Sequence, residues 1–198
     1  DLYLKKSNND SLNENEIDEW QRVEQRYDQI CNSAAKSGIS ILIDAEESWI
    51  QKSIDELIEK LMIKYNNSSC IVYNTIQTYR IDRFEYLSDL YKRLSKSNIK
   101  IGIKLVRGAY MEKERIRAKS NNYKSPICET KLKTDENYNN CMSFIFSNIN
   151  DFNLFIGSHN ERSNILATEI MEKHQIKNND KRVWFGQLYG MSDNISFN

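Results

Sequence analysis

Five short apolar runs, each followed by a stretch of helical periodicity, predict an α/β chain built on a parallel sheet. No Gly-x-Gly-x-x-Gly occurs after any of these runs, which argues against a doubly wound sheet. Polar residues instead recur where the runs end: Asp44, Gln77, Lys104 with Arg107, His159 and Gln187. Polar groups gathered at the C-terminal ends of several strands are the mark of a (β/α)8 TIM-type barrel. Such a barrel takes about 250 residues and eight strands. Five strands in 198 residues therefore predict an incomplete one.

The elements follow in order. Residues 1–13 are polar and are expected to form a disordered lead-in, with the partial barrel over 14–198. Over 16–36, Ile17, Trp20, Val23, Tyr27 and Ile30 recur at helical spacing, and Gly38 closes the helix. Residues 39–44 read as a strand. Residues 48–64 read as a helix burying Ile50, Ile54, Leu57, Ile58 and Leu61. Strand 70–77, helix 83–96, strand 100–106 and helix 112–119 continue the alternation. A loop with the only proline, Pro126, precedes helix 135–150. Strand 153–158, helix 161–174, strand 182–187 and a short ending complete the chain.

The third strand is the most informative. Period-2 alternation puts Ile101, Ile103 and Leu105 on one face and Gly102, Lys104 and Val106 on the other. A strand apolar on both faces apart from one cation reads as a buried parallel strand. Its lone ammonium then needs an anion or a ligand. Arg107-Gly108-Ala109 follows where strand gives way to helix, a place where backbone N–H groups can approach an anion closely. The same alternation groups Asp44 with Leu42, Gln77 with Thr75 and Tyr73, and His159 with Gly157 and Phe155. Four successive strands thus carry one polar residue each on a shared type of face, as in an active-site ring.

Composition narrows the function classes. The 28 basic and 28 acidic residues balance, so nothing suggests nucleic-acid binding or electrostatic membrane attachment. No apolar run approaches the roughly 20 residues that span a bilayer. The first residues are too acidic and polar for a targeting peptide. Cys31, Cys70, Cys128 and Cys141 lack Cys-x-x-Cys spacing or a nearby His pair, so no metal site is expected and reduced thiols are the default. His174, at a helix end, complements the helix dipole. The charged run Glu112-Lys113-Glu114-Arg115-Ile116-Arg117 reads as a solvated helix face.

Several stretches carry a family likeness: Leu42-Ile43-Asp44-Ala45-Glu46, Asn74-Thr75-Ile76-Gln77-Thr78-Tyr79, and Lys104-Leu105-Val106-Arg107-Gly108-Ala109-Tyr110. Ser158-His159-Asn160-Glu161 and Phe185-Gly186-Gln187-Leu188-Tyr189-Gly190-Met191 continue it. In this order, over about residues 14–197, the chain resembles proline dehydrogenase of the monofunctional mitochondrial type. The resemblance implies a (β/α)8 barrel holding FAD that oxidises L-proline to 1-pyrroline-5-carboxylate and passes electrons to a quinone. It implies a mitochondrial location on the matrix side of the inner membrane, with peripheral membrane association in the full protein. The segment would run from before the third barrel strand to just past the seventh. It would lack a substrate-binding Lys from the first two strands and a C-terminal arginine pair that clamps the substrate carboxylate.

The resemblance also assigns roles. Lys104 would be the cation beside the reactive edge of the flavin, where bacterial members often carry Arg. Asp44 would be the buried acid ordering the cations around substrate. Gln77 would hydrogen-bond the flavin ring edge, and Arg107, Gly108 and Ala109 would cradle its pyrophosphate or ribityl chain. Ser158 and His159 would lie beside the cofactor, His159 binding rather than moving protons. Tyr110 and Leu188 would flank the substrate ring. Lys131 and Thr134, in the loop before the fifth helix, are further candidates for the adenosine part. Two alternatives remain at this point: a hydroxyproline dehydrogenase, and a non-catalytic fragment acting as an interaction module.

Overall fold

A computed structural model describes residues 1–197. Helices α1 (Leu2–Asn8) and α2 (Glu14–Ser37) precede strand β1 (Ile41–Ile43) and helix α3 (Ser48–Tyr65). Strand β2 (Val72–Gln77), helix α4 (Arg83–Leu94), strand β3 (Ile101–Val106), helix α5 (Met111–Ser120) and helix α6 (Lys131–Ser147) follow. Strand β4 (Phe152–Gly157), helix α7 (Glu161–Lys173), strand β5 (Val183–Gly186) and the short helix α8 (Asp193–Ser196) end the chain.

The five strands are parallel and ordered β1-β2-β3-β4-β5. A doubly wound sheet reverses its strand order at a switch point. Winding in one direction only is the barrel pattern, and the chain forms an incomplete TIM-type barrel. Among the described residues, β1 and β5 are its two outer edges.

The alternation read from the sequence holds. Ile101, Ile103 and Leu105, with Phe152, Leu154 and Ile156 of β4, are fully buried. They form one core with Leu87 and Leu90 of α4 and Tyr138, Met142, Ile145 and Phe146 of α6. The opposite face pairs Thr75 with Lys104, Lys104 with Phe155, and Gly157 with Gly186 across the sheet, and these residues line a cavity. Gly186 leaves room there for the Phe155 ring, whose outer edge a Cβ would approach to 2.1 Å and push aside.

Two expectations need correction. The first 13 residues are not a disordered lead-in. Asp1 caps α1 by accepting a hydrogen bond from the Tyr3 N–H at 3.1 Å, and Leu2 and Tyr3 pack against the core. Ser53 Oγ donates to the Tyr3 carbonyl, and Tyr3 meets Trp20 edge-to-face at 5.6 Å. A single short helix offers too little periodicity to be seen in the sequence, whereas its tertiary contacts hold it. Helix α6 begins four residues earlier than expected, because Thr130 Oγ1 accepts from the Lys133 N–H at 3.2 Å. Lys131 and Thr134 therefore lie on the first turn of α6 and not in a loop.

Candidate active site

The C-terminal ends of all five strands surround a cavity of about 680 Å³. β1 opens onto it through Asp44 and β2 through Thr75 and Gln77. β3 contributes Lys104 and the turn 107–110, β4 contributes Phe155 to His159, and β5 contributes Gly186 to Leu188. All ten residues expected in the site reach this one cavity: Asp44, Gln77, Lys104, Arg107, Gly108, Ala109, Tyr110, Ser158, His159 and Leu188.

Lys104 Nζ donates to Asp44 Oδ1 at 2.5 Å, closing the question of the anion that the strand's ammonium needs. The pair is lopsided: 22% of the Lys104 side chain is exposed against 66% of Asp44. In this five-stranded piece Asp44 lies beside the open β1 edge, which leaves its carboxylate exposed. The strand has already ended at Ile43, and its carboxylate stands at the open mouth.

Gln77 is buried, and its Nε2 donates to the Ala45 carbonyl at 3.0 Å. That contact fixes the amide orientation, since a flipped amide would set oxygen against oxygen. Its Oε1 is then buried with no partner. His159 Nε2 accepts from the Leu188 N–H at 3.4 Å, which places the ring proton on Nδ1, itself buried and unpartnered. Both residues border the cavity, but these two atoms are turned away from its open space.

Arg107 is the most engaged residue of the site. Its Nε donates to Asp135 at 2.7 Å, Nη1 to Ser158 Oγ at 3.0 Å and Nη2 to Ser163 Oγ at 2.9 Å. The guanidinium lies 4.3 Å from the centre of the Tyr138 ring. Partial burial would raise the pKa of Asp135, but hydrogen bonds from Lys131 and Arg107 outweigh it and hold the carboxyl below its usual range. Burial pushes the Tyr138 phenol up to about 12, against the pull of Arg107. Gly108 adopts φ 120°, and a Cβ would meet the Tyr79 ring at 2.5 Å, so only glycine fits this turn. Ser158 Oγ also accepts from the Asn160 N–H at 3.1 Å. Lys131 pairs with Asp135 at 2.6 Å and borders the cavity. Thr134 does not reach it, lining instead an adjoining hollow beside Tyr79 and Lys113.

The description proline dehydrogenase belongs to the family model that matches residues 3–198. The chain belongs to the proline dehydrogenase family. It is 37% identical to mitochondrial proline dehydrogenase 2 of Arabidopsis thaliana over 201 residues, covering 99% of this chain and 42% of that one. It is 35% identical to mitochondrial proline dehydrogenase 1 of Dictyostelium discoideum, covering 98% of this chain and 35% of the relative. The structure also superposes on a crystal structure of proline utilization A (PutA) from Bdellovibrio bacteriovorus inactivated by N-propargylglycine. The TM-score is 0.82 at 25% identity, over 88% of this chain and 18% of that one. The chain thus spans well under half the length of these proline dehydrogenases.

Not every contributor to this site was singled out from sequence. Thr75 and Phe155 line the cavity, and the period-2 alternation already groups them with Gln77 and His159. Asp135, Tyr138 and Ser163, which immobilise Arg107, come from helices distant in the chain, and no local pattern marks them.

Proposed function

We propose that this chain forms the central part of the catalytic barrel of a flavin-dependent L-proline dehydrogenase, which oxidises L-proline to 1-pyrroline-5-carboxylate. Supporting this beyond family membership is one observation: the Lys104–Asp44 pair stands in a cavity at the C-terminal strand ends that Gln77, Arg107, Ser158 and His159 also line. The polar side chains around it suit the edge of a flavin ring, and the cation suits a group that gains negative charge. FAD, when bound, would supply the two-electron acceptor for hydride from proline C5, with a quinone as the final acceptor.

The residues divide the remaining work. Lys104 provides a fixed positive charge on the wall, stabilising negative charge that develops during the reaction without reorganisation. Asp44 holds that ammonium and orders the cations that meet the substrate carboxylate. Gln77, Ser158 and His159 bind the cofactor by hydrogen bonds, and Gly108 and Ala109 let backbone approach its phosphate or ribityl chain. Tyr110 and Leu188 flank the proline ring and exclude water from it. The names of the relatives support a mitochondrial location, and the matrix face of the inner membrane gives access to quinone.

The test uses the complete protein that carries this chain. Purified protein should show a flavin spectrum that L-proline bleaches anaerobically, and 4-hydroxyproline should bleach it more slowly. Faster bleaching by hydroxyproline would reassign the substrate. A flavin-free protein, or one that neither compound reduces, would defeat the reading.

A further inference from the structure

Helix α5 was expected to present a solvated charged face, yet Glu114 in its middle is fully buried. Its two carboxylate oxygens accept from the Ser48 N–H and the Ser48 hydroxyl, both at 2.6 Å. Ser48 is the first residue of α3, and α3 starts with no side-chain cap of its own and no acidic residue in its first turn. Glu114 therefore supplies from another helix the anion that a helix N-terminus favours. The neighbouring contacts follow the same line. Lys113 pairs with Glu47, and Arg117 lies 4.2 Å from the centre of the Trp49 ring. Residues 47, 48 and 49 are each held by α5.

The two segments tied together are the ones that build the site. α5 begins directly after Tyr110 and the turn 107–110, whereas α3 begins directly after the loop carrying Asp44. β2 lies between their strands, and its Gln77 holds Ala45 in the same loop. The separation of Asp44 from Lys104 and Tyr110 thus depends on a contact made outside the cavity. We propose that Glu114 is a positioning residue for the reaction, holding the 44–47 loop against the β3 turn so that Asp44 and Lys104 meet substrate as a pair.

The inference rests, for its kinetic arm, on the proline-oxidation reading. Glu114→Gln keeps the shape, and the Ser48 hydroxyl can turn to accept from the amide N–H₂, so the variant removes the negative charge at the α3 N-terminus and the charge-assisted bonds it makes. Ser48→Ala removes the hydroxyl donor alone. In the complete protein, Glu114→Gln should raise KM for L-proline about tenfold, short of the roughly hundredfold that a displacement of about 1 Å can cost. The change in kcat per bound flavin should be smaller than that in KM, and flavin content should be unchanged. Ser48→Ala should move KM in the same direction, by less. Hydrogen exchange of the peptide covering 44–48 should quicken in both variants. Folded, flavin-loaded Glu114→Gln protein with either the wild-type KM or wild-type exchange over 44–48 would overturn the proposal. If Glu114→Gln does not fold, Ser48→Ala decides by the same two readings. If the wild-type protein does not oxidise proline, the functional reading fails by itself, and exchange over 44–48 alone decides whether Glu114 positions the loop.

Discussion

At Lys104, a structural and a catalytic role make different demands. A buried ion pair that loses one partner costs about 3–5 kcal/mol, because the remaining charge is stranded. Asp44 is 66% exposed, so water solvates it once Lys104 is gone, and the cost falls to the ~0–1 kcal/mol of a surface pair. In the complete protein, a structural role would show as lost stability of Lys104→Met and a catalytic role as a slower reaction of folded protein. If the ammonium stabilises charge arising during the reaction, flavin reduction by proline should slow by about 10²–10³-fold. The flavin midpoint potential should fall as well. Stopped-flow reduction normalised to bound flavin reads the first, and a normal rate would remove Lys104 from the catalytic residues. Asp44→Ala tests the other half of the pair. Its effect should fall on substrate affinity and turnover with flavin content kept, and flavin loss with unchanged turnover per remaining flavin would contradict the assignment.

The elements are held on their helix side by groups that the site never touches. Asp55 of α3 accepts from Arg83 Nη1 at 2.8 Å, Asn74 Nδ2 at 2.8 Å and Gln51 Nε2 at 2.9 Å, tying α3, β2 and α4 together. Both members of the Asp55–Arg83 pair are buried. Asp55→Ala removes these three hydrogen bonds but leaves Arg83 paired with Asp82, so urea unfolding should show a cost below the ~3–5 kcal/mol of a stranded buried charge. The flavin spectrum of the folded fraction should stay unchanged. Strands and their faces were legible in the sequence because alternation is local: the burial of Ile101, Ile103 and Leu105 and the cavity position of Lys104 follow from it directly. Helix surfaces were less legible. Glu114 sits in a run of charges that gives α5 almost no amphipathic pattern, and its burial is decided by Ser48, 66 residues earlier. Arg107 is a similar case, since Asp135 and Ser163 reach it only through the packing of α6 and α7. Asp44 was expected as the last residue of its strand, but β1 ends at Ile43, and strand ends depend on pairing rather than composition.

Across the whole molecule, buried ionisable groups set an alkaline limit. Burial pushes the Cys70 and Cys141 thiols and the Tyr79 and Tyr138 phenols up to about 12. Each is neutral in the fold and ionises more readily once unfolded. Their contribution is therefore complete below the ordinary values of 9.0 for a thiol and 10.0 for a phenol, and is lost as pH rises through about 12. Urea midpoints should fall steadily from pH 9 upward, and a flat profile to about pH 11 would contradict these burials. A second whole-molecule property is the sheet's open sides. β1 and β5 each pair on one side only among the described residues, and Trp184 and Phe185 on β5 are exposed, as are Leu188, Tyr189 and Met191 just beyond it. Unpaired N–H and C=O groups beside exposed apolar side chains recruit further strands. The 198-residue chain expressed alone should therefore self-associate and hold flavin poorly, because the cavity wall is open where β1 and β5 face outward. Gel filtration with absorbance read at the flavin band tests both claims in one run. A monomeric peak with stoichiometric flavin would mean that five strands suffice to close the site, and the open edges would then have no functional cost.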